Sequence, residues 1–187
     1  MPNDCLAIAL PDWATAYETA TTAIAGDEAR MRFAIDLARR NVECGTGGPF
    51  GAAIFSLDQG RLIAIGVNSV VRLGNSAMHA EMMAIMRAER AVGSYTLKQP
   101  RGYALYTSCE PCAMCLGGIL WSGIRQLVCG AVADTARAIG FDEGPVYPDS
   151  YRHLEKAGIE VRRGVLADEA AEIIRGYRER GGAVYNG

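Results

Sequence analysis

The sequence lacks three features that would each indicate a specialised class of protein: a long apolar run, a cluster of basic residues and a large set of cysteines. Its longest apolar stretch, 113–121, is interrupted by Gly117 and Gly118 and is far too short to span a bilayer. The first residues lack the basic start of a secretion signal. The net charge is −2, with no run of Lys or Arg, which argues against binding to a nucleic-acid backbone. We therefore expect a cytoplasmic protein that does not contact membranes, and the charge disfavours nucleic acid as a partner.

The six cysteines are too few for a disulfide scaffold in a chain of 187 residues. Cys109, Cys112 and Cys115 follow one another at steps of three residues, which indicates metal chemistry in a reducing compartment. Cys109 is interpreted as a residue at the end of a strand, behind the site, rather than as a ligand. The remaining cysteines are interpreted as ordinary thiols; they are Cys5, Cys44 and Cys129.

Helical and strand patterns alternate along the chain, which predicts one α/β domain built as α/β/α layers. Residues 1–26 are expected to form a partly helical N-terminal extension that packs on this domain, which comprises residues 27–187. A helix is predicted from Asp27, which is a candidate cap. Residues 50–57 and 61–67 are apolar at nearly every position and predict two strands of a sheet that is covered on both faces. Residues 134–150 are predicted to form a long loop, and 159–165 a late strand.

A glycine-rich segment, 45–49, follows the first long helix. It resembles a phosphate-binding loop in composition, but it lacks the Gly-Lys-Ser/Thr end and follows a helix rather than a strand. We therefore interpret it as a break between the helix and the first strand.

Two short motifs carry the chemistry: His79-Ala-Glu81 and Pro111-Cys112-Ala-Met-Cys115, each at the start of a predicted helix. Cys112 and Cys115 lie three residues apart, so both thiols project from one face of a first turn. Pro111 is well suited to begin that helix, and the positive end of the helix dipole favours thiolates. With His79 as a third ligand, a fourth tetrahedral position stays open for water, which is typical of a catalytic zinc site.

Glu81 lies two residues after His79, about 200° further around a regular helix, so both cannot face a metal from one helix face. At a helix start Glu81 can reach a water molecule on the metal while it stays outside the ligand set. Zinc lowers the pKa of bound water to about 7, and a neighbouring carboxylate can then take and return protons. The combination predicts hydrolytic chemistry.

The pattern His-x-Glu followed by Pro-Cys-x-x-Cys resembles that of the cytidine deaminase superfamily of zinc-dependent nucleobase deaminases. The resemblance covers residues from about 29 to 180. It implies one catalytic Zn²⁺ per subunit, held by His79, Cys112 and Cys115, with Glu81 as the proton shuttle. It also implies a mixed five-stranded sheet between helices, and a dimer or higher oligomer.

Further residues indicate the substrate. Phe50 could stack on a planar base, and Asn68, at the end of the second strand, could hydrogen-bond to its edge or to a sugar. The adjacent carboxylates of Asp142 and Glu143 suit an amino-rich ring and its leaving ammonia. Tyr185, in the tail after two glycines, could close over the pocket. Each also has a simpler interpretation: core packing, a turn, a solvated acidic loop and a frayed terminus.

The segment from Phe141 to Pro145 and the aromatic tail resemble the guanine deaminase branch, in particular bacterial guanine deaminases that also accept the triazine ammeline. The resemblance implies that Asn68 and the backbone near Ala80 bind the base, that Phe50 stacks on it, and that Glu143 or Asp142 contacts the 2-amino group. It implies hydrolysis of guanine to xanthine and ammonia in purine catabolism. It further implies a homodimer, with or without exchange of the C-terminal tail.

Three alternatives stay open. A guanosine deaminase would have the same base-binding loop and more room for ribose. A tRNA adenosine deaminase is favoured by the Pro-Cys-Ala-Met-Cys sequence and disfavoured by a pI of 5.7 and by the acidic pair Asp142 and Glu143. A non-catalytic zinc-stabilised interaction module would need four protein ligands, and the motifs supply three.

Overall fold

The computed structural model describes residues 8–185; residues 1–7, which include Cys5, and residues 186–187 lie outside the described part of the chain. The elements, in chain order, are α1 (Asp12–Ala20), α2 (Asp27–Glu43), β1 (Gly51–Ser56), β2 (Leu62–Val67), α3 (Val70–Leu73), α4 (Ala80–Val92), β3 (Tyr103–Cys109), α5 (Ala113–Ser122), β4 (Gln126–Ala131), α6 (Ala133–Ala138), α7 (Pro148–Lys156), β5 (Glu160–Arg162) and α8 (Ala167–Glu179). None of the helices within residues 8–185 has the length and apolar character needed to span a bilayer.

The five strands form one mixed sheet in the order β2-β1-β3-β4-β5. β1 pairs antiparallel with both β2 and β3, whereas β3 with β4 and β4 with β5 are parallel. The predicted mixed five-stranded α/β fold is therefore confirmed. The late strand is shorter than the predicted 159–165, because the chain turns at Gly164, whose φ of 75° is incompatible with an extended strand.

Helices cover both faces of the sheet, as the apolar strands predict. Alternate residues of a strand point to opposite faces. Ala53 and Phe55 belong to the core cluster that contains α2 and α8, whereas Ala52 and Ile54 belong to the cluster that contains α4 and α5. The α4 and α5 layer is the one that carries the two predicted metal-binding motifs.

The N-terminal segment lies against this body. Ala14 of α1 is fully buried, and Ala23 forms an isolated antiparallel bridge with Arg61. α2 begins at Asp27, but the prediction that Asp27 caps this helix was wrong, because Gly26, with a φ of 81°, occupies the cap position. The Asp27 carboxylate instead accepts a hydrogen bond from the Tyr106 hydroxyl at 2.5 Å.

The prediction of one continuous loop over 134–150 was also wrong. The alanine-rich segment 133–138 forms α6, and α7 begins at Pro148, whose fixed φ suits a first helical position. His153 lies in α7. The remaining loop, 139–147, carries Phe141, Asp142 and Glu143.

Candidate active site

The N-terminal ends of α4 and α5 lie side by side and bring the predicted metal ligands together. His79 is the cap residue of α4, Cys112 is the cap residue of α5, and Cys115 lies in the first turn of α5. His79 Nδ1 is 3.5 Å from Cys112 Sγ, and the three ligand atoms all lie within 4.8 Å of one another. Ligands of one tetrahedral zinc ion stand about 3.3–3.8 Å apart, and one imidazole with two thiols is a donor set that zinc takes. The residues present therefore fit Zn²⁺.

The electrostatics of the cluster favour a thiolate at Cys112. A hydrogen bond from the Cys115 thiol is the main reason that the pKa of Cys112 is lowered to about 4, and the hydrogen bond with His79 adds to it. Burial acts in the opposite direction and is outweighed. The same hydrogen bond and burial raise the pKa of Cys115 well above its ordinary value. Burial disfavours the charged form of His79, but the hydrogen bond with Cys112 and the charge of Glu81 outweigh it and raise the pKa of His79. These interactions favour the thiolate form of Cys112, which is the form that binds a metal.

Glu81 follows in the first turn of α4 and is 6% exposed. Burial is the main reason that the pKa of Glu81 is raised, and the nearby Cys112 thiolate adds to it. The ligand cluster contains His79, Cys112 and Cys115 but not Glu81, whose carboxyl group lines the adjoining cavity. A carboxyl group held this way can exchange protons with molecules in the cavity.

One cavity adjoins the metal ligands and gathers the other residues that the sequence singled out. Its lining is Phe50, Asn68, His79, Ala80, Glu81, Glu110, Cys112, Phe141, Asp142, Glu143 and Tyr185. Cys115 is fully buried behind it. Cys109 ends β3, with its sulfur 4.0 Å from the Val132 carbonyl oxygen, and is not part of the ligand cluster.

Aromatic rings form one side of the cavity. Phe141 makes edge-to-face contacts with Phe50 and with Tyr185, each with ring centroids 5.1 Å apart. The Tyr185 ring lies against Gly48, where an added Cβ would overlap the Tyr185 hydroxyl group. Gly48 is therefore required for the tail to approach the cavity this closely. Burial raises the pKa of Tyr185 far above its ordinary value.

Asn68 presents an unused acceptor to the cavity. Its backbone N–H donates to the Phe50 carbonyl oxygen at 3.0 Å, and its own carbonyl oxygen accepts from Asn41 Nδ2 at 2.9 Å. Its side-chain oxygen Oδ1 is buried and has no hydrogen-bond partner within the described chain. A buried acceptor without a partner costs about 1–3 kcal/mol, so a ligand N–H group is its expected partner.

The structure distinguishes the two adjacent carboxylates. Asp142 is exposed, and its carboxylate accepts a hydrogen bond from the Gly144 N–H at 2.8 Å in a turn. Glu143 is 7% exposed, and its carbonyl oxygen accepts from the N–H of Ala113 at the start of α5. Burial, with the Cys112 and Glu81 charges, raises the pKa of Glu143 to about 8. Of the two, Glu143 is the carboxyl group held inside the cavity.

Sequence reasoning missed Glu110, which is 5% exposed. Its carboxylate accepts from the Ala133 N–H at 3.0 Å and pairs with Arg163 at 2.5 Å. Glu110 thereby connects the end of β3, next to the metal ligands, to the start of α6, which leads to the Phe141 and Glu143 loop. The signal that could have revealed Glu110 is an acidic residue in a segment that is otherwise buried, since a buried carboxylate needs partners.

Comparison with known proteins identifies the class to which this site belongs. Residues 25–131, more than half of the chain, match the model of the cytidine and deoxycytidylate deaminase zinc-binding region. The chain belongs to this family of zinc-dependent deaminases and is a hydrolytic deaminase.

Similar proteins include guanine deaminases. That of Bacillus subtilis (strain 168) is 38% identical over 141 residues, which are 75% of this chain and 87% of that protein. A solved structure of guanine deaminase from Nitrosomonas europaea is 41% identical, with a TM-score of 0.91 and with 96% of this chain and 99% of that chain covered. A structure of NE0047 in complex with 2,6-diaminopurine is 42% identical, with a TM-score of 0.92 and 98% of each chain covered. tRNA-specific adenosine deaminases also match, at 29–34% identity.

Proposed function

We propose that this chain hydrolyses guanine to xanthine and ammonia. The observation that carries the proposal is the cavity beside the metal ligands, in which an unpartnered acceptor, Asn68 Oδ1, and a buried carboxyl group, Glu143, face a site flanked by aromatic rings. Guanine is planar and carries ring N–H groups and a 2-amino group, so it complements each of these features. The names of the guanine deaminase relatives support the same substrate.

Each residue at the cavity has a proposed role in binding. Phe50 stacks on the purine ring, and Asn68 Oδ1 accepts a hydrogen bond from a ring N–H. The backbone at Ala80, in the first turn of α4, offers an N–H that no carbonyl of its own helix satisfies. Glu143 contacts the 2-amino group. Asp142, at the mouth of the cavity, is assigned to substrate binding through its position alone.

The metal is proposed to be one catalytic Zn²⁺ per subunit, held by His79, Cys112 and Cys115. When bound, zinc supplies a Lewis acid that lowers the pKa of a water molecule and stabilises negative charge on the attacking oxygen. Glu81 takes a proton from the attacking water and delivers it to a ring nitrogen. A C–O bond forms at C2 and the C2–N bond breaks. Glu81 or Glu143 carries a proton to the departing amine, so guanine and water yield xanthine and ammonia.

The tail favours the free base over the nucleoside. Tyr185 packs on Phe141 and Gly48 and occupies one side of the cavity, which leaves less room for bulk attached to the base. The experiment is ammonia release by the zinc-loaded protein from guanine and, in parallel, from guanosine, with Glu81→Gln as the control for background hydrolysis. Turnover of guanine alone supports the proposal. Turnover of guanosine alone would instead indicate a nucleoside deaminase. No ammonia release from either compound would overturn the proposed substrate.

We propose a homodimer formed through the outer face of α5. The helix exposes an indole and two further apolar side chains: Trp121 is 83% exposed, Met114 38% and Leu120 36%. Large exposed apolar side chains that cluster on one helix mark interaction surfaces. A dimer in sedimentation analysis that becomes a monomer in Trp121→Glu is expected; a wild-type monomer would contradict the proposal. Because Tyr185 reaches the cavity of its own chain, the proposal does not need exchange of the tail between subunits.

We propose that the enzyme works in purine catabolism in the cytoplasm. Xanthine, the product, has a carbonyl group at C2 in place of the 2-amino group of guanine, so the reaction removes one nitrogen from the purine as ammonia. Reduced thiols at Cys112 and Cys115 are needed to bind the metal, and a reducing compartment maintains them. tRNA is disfavoured as a substrate, because the net charge is −2 and the exposed carboxylate of Asp142 lies at the cavity mouth.

A further inference from the structure

The N-terminal helix α1 reaches the substrate-binding residues through a chain of hydrogen bonds. Trp13 donates its indole N–H to Thr46 Oγ1 at 3.0 Å, and the Thr46 hydroxyl donates to Asn41 Oδ1 at 2.7 Å. The Asn41 amide nitrogen then donates to two backbone carbonyl oxygens, that of Gly48 at 2.8 Å and that of Asn68 at 2.9 Å. The first and last members of this chain are 55 residues apart in the sequence.

These hydrogen bonds can form in one direction only. An indole N–H is a donor without an acceptor, so Thr46 accepts from Trp13 and has its own hydrogen available for Asn41 Oδ1. Because Asn41 Oδ1 faces the Thr46 hydroxyl, the amide nitrogen Nδ2 is the end that faces the two carbonyl groups. Asn41 is fully buried, so water offers no alternative partner, and a flipped amide would place its oxygen against two carbonyl oxygens.

Of the two carbonyl groups that Asn41 holds, that of Asn68 belongs to a residue that lines the cavity, and that of Gly48 lies two residues before Phe50, which also lines it. The Gly48 carbonyl oxygen also accepts the N–H of Phe50 at 2.8 Å, and the Phe50 carbonyl oxygen accepts the N–H of Asn68 at 3.0 Å. Asn41 therefore holds the backbone at Gly48 and at Asn68, the two residues whose backbones are hydrogen-bonded to Phe50. The packing is tight, since a Cβ at Gly47 would overlap the Asn68 carbonyl oxygen and lie 2.7 Å from Asn41 Nδ2.

We infer that Trp13, Thr46 and Asn41 are positioning residues for the purine, so that the N-terminal segment contributes to substrate binding as well as to stability. The inference rests on the proposed function, in which Asn68 Oδ1 binds guanine. No protein group within the described chain holds that oxygen by a hydrogen bond. The Asn68 side chain also interacts with Tyr185, but its position is set by the Asn68 backbone, and the Asn41 amide holds that backbone.

The first test compares two variants of the same helix. Trp13→Phe removes the indole donor and keeps an aromatic ring. Tyr17→Phe, the matched control, removes a hydroxyl that donates to Asp36 at 2.6 Å on the outer face of α2, without a link to Asn41. Trp13→Phe is expected to raise the KM for guanine about fivefold, as the loss of one neutral hydrogen bond does, with kcat within about twofold of wild type. Tyr17→Phe is expected to leave KM unchanged. Equal KM values in all three proteins, or equal increases in both variants, would overturn the inference.

The second test shows whether the effect passes through the hydroxyl and through Asn68. Thr46→Val is expected to behave like Trp13→Phe, and Thr46→Ser, which keeps a hydroxyl, is expected to retain the wild-type KM. In an Asn68→Ala background, Trp13→Phe should raise KM no further; an undiminished fivefold increase there would contradict the positioning role. The single variant Asn68→Ala distinguishes the proposed function from the positioning inference. If it leaves the KM for guanine unchanged, the proposed role of Asn68 is wrong. If it raises KM while Trp13→Phe does not, only the positioning inference is wrong.

Discussion

Gly66 of β2 lies where the sheet closely approaches α4, whose N-terminal end carries His79 and Glu81. A Cβ at this position would overlap the Ala80 carbonyl oxygen and lie 2.6 Å from the Ala84 nitrogen. These two atoms are a hydrogen-bonding pair of the first turn of α4. Both belong to backbone, which cannot rotate away as the end of a flexible side chain can. Gly66→Ala therefore forces the start of α4 away from the sheet.

The size of the effect follows from the overlap. An unstrained contact needs about 3.4 Å, and the added Cβ would lie 2.0 Å from the Ala80 oxygen, so the first turn of α4 must move by about 1.4 Å. Overpacking of this kind costs about 1–3 kcal/mol of stability, which lowers the Tm of a domain of this size by about 2–10 °C. A displacement of about 1 Å at catalytic groups can reduce the rate about 100-fold. We therefore expect Gly66→Ala to fold, to bind zinc more weakly and to lose about two orders of magnitude in kcat.

The assay combines Tm, zinc content by mass spectrometry and ammonia release from guanine at a temperature well below Tm. Gly176→Ala is the matched control, because Gly176 lies within α8 and an added Cβ there would meet no atom within 4 Å. This control is expected to gain about 1 kcal/mol of stability through helix propensity and to keep its zinc and its rate. A folded Gly66→Ala protein with full zinc content and kcat within about threefold of wild type would refute the reasoning.

Two further predictions concern single carboxylates. Glu81→Gln is expected to keep zinc bound while kcat falls about 10²- to 10⁴-fold, as loss of a general acid–base group does; full turnover in an ammonia assay would contradict the mechanism. Burial alone would raise the pKa of Asp36, but hydrogen bonds from Tyr17 and Arg40 outweigh it and lower that pKa. Asp36 therefore stabilises the fold above its unfolded-state pKa, and this contribution is lost as the pH falls through the folded-state pKa. The difference in Tm between wild type and Asp36→Asn should shrink below about pH 4; a difference that grows on acidification would be inconsistent with this.

Residues whose partners are close in the sequence were predictable. Cys112 and Cys115 share a first turn because of their spacing, and apolar residues on both faces of 50–57 require a sheet covered on both sides. The error at 134–150 has a physical cause. Glycine and proline marked this segment as irregular, but the alanine-rich piece 133–138 forms a helix whose first N–H, at Ala133, is held by Glu110, 23 residues earlier.

The sequence by itself determined the class of fold, and it predicted three metal ligands and an acid–base residue beside them, because each of these depends on local periodicity and on the chemistry of side chains a few residues apart. Only the tertiary structure decided that Asn41 holds the Asn68 backbone, that Gly48 makes room for Tyr185 and that Glu143 rather than Asp142 is the carboxyl group inside the cavity. These relations join separate elements across the sheet and the tail. No local pattern specifies them, because they follow from how helices, loops and chain ends pack once the core has formed.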